Sequence, residues 1–277
     1  MAYARATDGA RIHYEAFGRR GAPVVLMIQG LGADKHGWDM QRFTLAMRYR
    51  VIAFDNRGAG RSDKPFGVYS IEQMADDAVA VLDHQDVAAA HVVGASMGGA
   101  ISQLMTVRHP TRVLSLTLAC TACRNQPWRR ELLEQWMETA QERGMGAMTR
   151  EAARWVMAPR SFRRLLPTFG WLGPLAMGRP THSFVAQVRA ILAAADDLAD
   201  DLHMVNVPTL VIVGNQDILT PRGDSEEIAD RIPGAELVVI SGAAHGFMVE
   251  HASTFNKILM EFLHRVSRPE PVVVATG

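Results

Sequence analysis

The sequence predicts a doubly wound, mostly parallel α/β fold. Short aliphatic runs recur along the chain without the period-2 polarity of a one-sided sheet, as expected of strands covered on both faces. Amphipathic or alanine-rich stretches of helical length separate them, the alternation that builds parallel sheets. A chain of 277 residues is also within the size that α/β folds reach undivided.

The elements follow in order. Tyr3–Phe17 has Asp8-Gly9 near its centre, the mark of an antiparallel hairpin, here placed at a sheet edge. Val24–Ile28, Val51–Phe54, His91–Val93, Val113–Ala119, Thr209–Val213 and Leu237–Ile240 read as buried strands. Met40–Met47, Ile71–Asp86, Met97–His109, Ser225–Arg231 and Ala252–Val266 read as the helices between and after them. Residues 267–277 carry two prolines and no periodicity and are expected to be a mobile tail.

One stretch breaks the rhythm. From Arg124 to about Ala195 no strand is evident, and four of the five tryptophans lie there (Trp128, Trp136, Trp155, Trp171). Eleven arginines face five glutamates in it, with no aspartate or lysine, a surplus of six positive charges. Pro159, Pro167, Gly170, Gly173, Pro174, Gly178 and Pro180 cut its second half into short pieces. It is expected to be an inserted helical lid, residues 123–196, on a core formed by residues 1–122 and 197–266; ordinary packing helices with no part in the site are the alternative.

Composition narrows the function. Hydrophobic residues make up 48% and charged residues 21%, a globular profile, and 29 basic residues balance 29 acidic ones. A protein that works by gripping phosphates or anionic lipid needs a basic excess, so no nucleic-acid partner is expected. Two cysteines are too few for a disulfide-stapled fold. Residues 1–15 lack the apolar core of a signal peptide, and the longest apolar runs fall far short of the roughly 20 residues that span a bilayer. The expectation is a cytoplasmic protein with no membrane span; self-association into a homo-oligomer is left open.

Gly94-Ala95-Ser96-Met97-Gly98-Gly99 directly follows the strand His91–Val93 and opens the helix beginning at Met97. This is G-x-S-x-G in the strand–turn–helix setting that gives it meaning. A serine on so tight a turn takes a strained backbone conformation, and Cβ atoms at the flanking positions would collide. Gly94 and Gly98 remove the collision, and the hydroxyl then projects beside a helix N-terminus, where the dipole favours developing negative charge. A glycine-rich turn chosen for packing alone is the bland alternative.

A neutral serine needs a base, itself oriented by an acid. Asp217 stands just past the strand Thr209–Val213, and His245 just past Leu237–Ile240, in Ser241-Gly-Ala-Ala-His245-Gly246. Taken singly, Asp217 reads as a turn or N-cap aspartate ahead of Thr220-Pro221, and His245 as a solvated loop histidine. In the order serine, acid, histidine, each after a buried strand, Ser96, Asp217 and His245 form a candidate catalytic triad.

With these motifs in hand, the chain resembles the α/β-hydrolase fold serine hydrolases. The likeness is greatest to the lid-bearing bacterial group of small esterases, 3-oxoadipate enol-lactonase-like proteins and meta-cleavage C–C hydrolases. It extends over nearly the whole chain, through Gly30-Leu-Gly32, Asp55–Ser62, the serine turn, the acid loop and Ala244-His245-Gly246. It implies an eight-stranded sheet, with Ser96 as nucleophile, His245 as general base and acid, and Asp217 as the orienting carboxylate. It also implies an oxyanion hole from the backbone N–H groups of Met97 and Leu31. Relatives commonly carry His-Gly where this chain has Gln29-Gly30, a change that spares backbone donors and alters the loop's support.

Other motifs weigh less. Asp55-Asn-Arg-Gly58 with Ser62-Asp63 has the look of a phosphate or metal loop, yet in this fold it is expected to buttress the oxyanion loop through Arg and Asp hydrogen bonds. Cys120-x-x-Cys123 lacks both a thioredoxin-like context and a second ligand pair, and is expected to be two buried or pocket-edge thiols. No metal or cofactor is implied, and Gly94–Gly99 does not have dinucleotide-binding spacing.

A serine nucleophile disfavours the dehalogenase and epoxide-hydrolase branches, which use an aspartate. The expected activity is hydrolysis of a small, partly apolar carboxylic ester or lactone through an acyl-enzyme on Ser96. C–C cleavage of a meta-cleavage-type diketone, a perhydrolase or haloperoxidase-like activity, and a non-catalytic binding module are the alternatives. The lid tryptophans with Trp38, Met137 and Met157 are candidates for an apolar pocket and equally for the ordinary core packing of short helices. The lid arginines are read as solvated partners of its glutamates, with attraction of a carboxylated substrate as the other option.

Overall fold

The computed structural model describes residues 2–159, 161, 180–194 and 197–267. Eight strands form one sheet: β1 (Ala2–Arg5), β2 (Arg11–Phe17), β3 (Val24–Ile28), β4 (Arg50–Phe54), β5 (Ala90–Ala95), β6 (Val113–Ala119), β7 (Thr209–Gly214) and β8 (Glu236–Ile240). Their order across the sheet is β1-β2-β4-β3-β5-β6-β7-β8. The expected hairpin is present, pairing Ala2 with Tyr14 and Arg5 with Arg11 around a turn where Gly9 takes φ 89°. β2 is antiparallel to both neighbours, β1 and β4, and β3 to β8 are parallel to one another.

The inner strands explain the missing alternation. β3, β5 and β7 are buried at every residue, because helices cover both faces. One face packs on α2 (Ile71–His84) and α3 (Met97–Arg108), which contribute Met74, Ala78, Val81, Ile101 and Met105 to the larger core cluster. The other packs on α1 (Asp39–Leu45) and the C-terminal helix Ala252–Val266, through Leu45, Phe255, Leu259 and Phe262. Of the two readings open for Trp38, pocket or core, the structure takes the core: it is fully buried in this second cluster and stacks on Phe255.

Strand neighbours reverse direction at β3, with β4 on one side and β5 on the other. In an open α/β sheet that reversal leaves a crevice beyond the carboxyl ends of the strands. The segments leaving β3, β5, β7 and β8 therefore converge there: the Gly30 loop, the Ser96 turn, the Asp217 loop and the His245 loop.

Between β6 and β7 the described residues hold no strand. They form the helices α4 (Pro127–Arg143), α5 (Met145–Val156), α6 (Thr181–Ala193) and α7 (Asp197–Asp201). Leu132, Leu133, Trp136, Met148, Phe184 and Val188 make a third apolar cluster there. Trp171 and the turn residues Pro167, Gly170, Gly173, Pro174 and Gly178 lie outside the described residues, as do residues 268–277 of the expected tail. Ser267 bonds the Leu263 carbonyl at 2.6 Å and lies 3.1 Å from His91 Nε2.

Candidate active site

Ser96 sits between β5 and α3 with φ 55° and ψ −121°, a conformation that side chains rarely adopt and that costs about 1–3 kcal/mol. Close packing imposes it. A Cβ on Gly98 would lie 2.6 Å from the Ile28 carbonyl carbon and 2.8 Å from the Gln29 oxygen. A Cβ on Gly94 would overlap Gly98, 2.7 Å from its carbonyl carbon. The turn is pinned by Ser96 N–H donating to Ala119 O at 3.0 Å and by Thr121 Oγ1 donating to Ser96 O at 2.8 Å. Ser96 is half-buried amid buried neighbours.

Asp217 and His245 meet below it. His245 Nδ1 lies 2.9 Å from Asp217 Oδ2, and both residues are buried. Oδ2 also accepts from Thr220 Oγ1 at 2.7 Å, and Oδ1 accepts from the N–H groups of Leu219 and Thr220, each at 2.9 Å. Asp217 thus makes the turn expected of it in the bland reading and orients the histidine as well. Burial pushes its pKa up, but the His245 charge and these hydrogen bonds outweigh burial and hold the carboxyl below its usual range. Thr220, read from sequence only as the residue that follows the Asp217 turn, also has its hydroxyl 3.2 Å from His245 Nδ1; the Asp-x-x-Thr spacing is the one trace of that role.

Ser96 and His245 line one cavity of about 620 Å³, with Leu31 and Met97. Among the described residues no hydrogen bond joins Ser96 Oγ to His245; such contacts often tighten only once substrate is bound. At the far side of Ser96, a Cβ on Gly30 would lie 3.1 Å from Ser96 Cβ, so the Gly30 loop passes directly against the serine. Gly30 N–H donates to Gln29 Oε1 at 2.8 Å and Gly32 N–H to Gln187 Oε1 at 3.0 Å, while Leu31 N–H has no acceptor among the described residues. Met97 N–H is the first amide of α3 and has no intrahelical partner. The Gln29 side chain, the departure from the related pattern, folds back onto its own loop.

The Asp55–Ser62 segment does buttress this loop, but by different groups from those expected. Asn56 Nδ2 donates to the Gln29 carbonyl at 2.8 Å. Asp55 instead holds His13 Nδ1 and the N–H groups of Lys35 and Arg61, each at 2.9 Å, and Arg57 forms a two-pronged pair with Asp77 at 2.6 Å. Cys120 and Cys123 are free, buried and on the cavity wall. Burial pushes the Cys123 thiol up to about 12, and burial followed by the Asp217 charge raises Cys120 well above its usual value, so neither is a ready nucleophile.

The helices between β6 and β7 supply the apolar wall, including Leu133, Trp136, Met148, Val156, Met157 and Phe184. Of the proposed pocket residues, Trp136 and Met157 line the cavity; Trp128 and Trp155 stack on each other outside it, and Met137 packs in the insertion. Of the arginines read as solvated, Arg143, Arg150, Arg154 and Arg189 are exposed, but Arg129 and Arg124 are not simple partners of nearby glutamates. Arg129 is buried and pairs with Asp224 of the helix Arg222–Arg231 at 2.6 Å, not with a glutamate of the insertion. Its Nη1 also donates to the Leu219 carbonyl at 3.1 Å, beside the acid loop. Arg124 pairs with Glu227 at 3.0 Å and Asp200 at 2.8 Å. The end of α5 is bound to the histidine loop, Gly246 N–H donating to Val156 O at 2.7 Å and Ala158 N–H to Glu250 Oε1 at 3.1 Å.

No helix among the described residues is long and apolar enough to cross a membrane. The model of the alpha/beta hydrolase fold family matches residues 23–252. The protein named "Putative carbamate hydrolase RutD" from Caulobacter vibrioides is 31% identical over 263 residues, covering 91% of this chain and 95% of that protein. 3-Oxoadipate enol-lactonase 2 of Acinetobacter baylyi is 28% identical, covering 92% and 93%. The crystal structure of the enol-lactonase from Burkholderia xenovorans LB400 superposes with a TM-score of 0.88 at 29% identity, covering 95% of this chain and all of that one. The strand order, the strained serine turn and these matches together make the chain a hydrolase belonging to the alpha/beta hydrolase fold family.

Proposed function

We propose that the protein hydrolyses carboxylic esters or lactones with an uncharged, partly apolar acyl group, through an acyl-enzyme on Ser96. The observation that carries this reading is the strained Ser96 facing the same cavity as a buried imidazole whose far nitrogen is held by Asp217 at 2.9 Å. Ser96 Oγ attacks the carbonyl carbon as its proton passes to His245 Nε2. The tetrahedral oxyanion rests on the N–H groups of Leu31 and Met97. Collapse expels the alcohol, which takes the proton from His245. Water then attacks the acyl-enzyme by the same route, with His245 as base, releasing the acid and restoring Ser96. Asp217 keeps Nδ1 protonated and stabilises the imidazolium.

The acyl preference rests on charge. The cavity wall is largely apolar, and its arginines, Arg124 and Arg129, are already neutralised by Glu227, Asp200 and Asp224. A carboxylated acyl group would have to displace one of those acids. In this reading the described helices of the 123–196 segment roof the acyl pocket, over a catalytic core formed by the sheet and the helices flanking it.

The test is a panel of p-nitrophenyl esters, simple lactones, a carbamate and a meta-cleavage diketone, run with Ser96→Ala and His245→Ala. Neutral esters or lactones should turn over, each variant should lose most activity, and the double variant little more, because the pair acts as a unit. Turnover of the diketone or carbamate alone, or additive losses, would refute the assignment.

A further inference from the structure

Resting on that reading, we propose that Gln187, on the inserted helix Thr181–Ala193, is a positioning residue that aims the Leu31 N–H at the oxyanion. Gln187 is only 1% exposed and 155 residues from the loop it serves. Its Oε1 accepts the Gly32 N–H at 3.0 Å, and its Nε2 donates to the Arg57 carbonyl at 2.8 Å. One carboxamide therefore ties the oxyanion loop to the Asp55–Ser62 segment, and both of its ends are used.

The loop needs such a tie. Two of its three residues are glycines, and Gly32 takes φ 65°, so the local backbone has little intrinsic preference. The direction of the Leu31 N–H follows from the peptide planes on either side of it. Gln29 Oε1 fixes the plane before, through Gly30 N–H, and Gln187 Oε1 fixes the plane after, through Gly32 N–H. The amides flanking Leu31 are thus both engaged, leaving the middle one for the substrate. The helix is seated firmly enough to act as an anchor. A Cβ on Gly58 would meet Ser183 Cβ at 3.1 Å and Gln187 Nε2 at 3.5 Å, so the helix rests on the Asp55–Ser62 segment without a gap. At this point the helix packs directly on the segment to which Gln187 is bonded.

Gln187→Met keeps the length and loses both bonds; Gln187→Glu keeps the acceptor for Gly32 N–H. Loss of a whole oxyanion donor costs roughly 100- to 1000-fold in kcat, and a misaimed one about 10- to 100-fold. We expect Gln187→Met to lower kcat on p-nitrophenyl butyrate by about 10- to 100-fold with KM within about twofold. Inhibition by a trifluoromethyl ketone, which mimics the oxyanion, should weaken in parallel, while inhibition by butyrate stays unchanged. Gln187→Glu should fall between the wild type and Gln187→Met. Rates are taken per active site, titrated with a fluorophosphonate, so that unfolded enzyme does not count. Wild-type kcat and ketone inhibition in Gln187→Met would overturn the inference, as would equal weakening of the ketone and of butyrate. If Gln187→Met fails to fold, the same comparison on Gln187→Glu decides. Ser96→Ala separates the two levels: if it is inactive and unlabelled while Gln187→Met behaves as wild type, only the inference fails, and if it retains activity and labelling, the reading beneath it fails as well.

Discussion

Replacing Asp224 by asparagine should unfold the protein far more readily than replacing its partner Arg129 by methionine. The two side chains are 2.6 Å apart and only 7% and 5% exposed. Arginine cannot shed its proton, so Asp224→Asn leaves a buried cation without its paired carboxylate, held only by neutral acceptors such as the Leu219 and Arg124 carbonyls. Breaking a buried pair in this way costs about 3–5 kcal/mol, which for a chain of this size lowers Tm by roughly 6–20 °C. Arg129→Met leaves an acid that has an escape. Burial has already pushed Asp224 up to about 6 despite the arginine, and without it the carboxyl rises further and is buried neutral. The loss should then be about 1–3 kcal/mol. A folded pKa above the ordinary aspartate value of 3.8 gives stability that is full below 3.8 and lost as pH rises through the folded value, so Arg129→Met should be hurt less at pH 5 than at pH 8. Urea titration of both single variants and of Arg129→Met/Asp224→Leu, at pH 5 and pH 8, measures this. The double variant should come within about 1 kcal/mol of wild type. Equal losses for the two single variants at both pH values, or a double variant as unstable as their sum, would refute the reasoning.

Asp217→Asn should cut kcat by roughly 10³- to 10⁴-fold, because the amide no longer holds the histidine in the needed tautomer. The Asp217 carboxyl lies below its usual pKa in the fold, so its contribution to stability is present above 3.8 and lost as pH falls through the lower folded value. The stability gap between wild type and Asp217→Asn should accordingly narrow on acidification, as followed by circular dichroism. Gly98→Ala drives a Cβ into the backbone of Ile28 and Gln29, which cannot step aside, and should cost about 3 kcal/mol and most of the activity. Gly223→Ala, on a helix with nothing within 4 Å, should raise stability by up to about 1 kcal/mol with unchanged kcat; calorimetry of the pair compares them directly.

Much of the framework was legible along the chain because it is local. Buried aliphatic runs marked the strands to within a residue or three, and the Gly94–Gly98 spacing announced a turn whose strain the backbone at Ser96 displays. Asp217 and His245 were readable because each directly follows a strand, and strand ends in a parallel sheet share one rim. Short elements were missed, among them Phe247–Glu250, since four residues show no period.

What the tertiary structure alone decided is the support of that site. Gln187 lies 155 residues from Gly32, Arg129 95 from Asp224, and the Gly246 N–H reaches Val156 O at the end of α5. No composition or spacing announces such contacts, because a buried side-chain amide or guanidinium takes whichever partner the packing of distant elements brings within reach. The same physics placed Trp38 in the core rather than the pocket, and paired Arg124 and Arg129 with Asp200, Asp224 and Glu227 on the helices flanking β7. Local backbone chemistry is written in neighbouring residues, whereas the satisfaction of buried polar groups is settled only when the chain has closed around them.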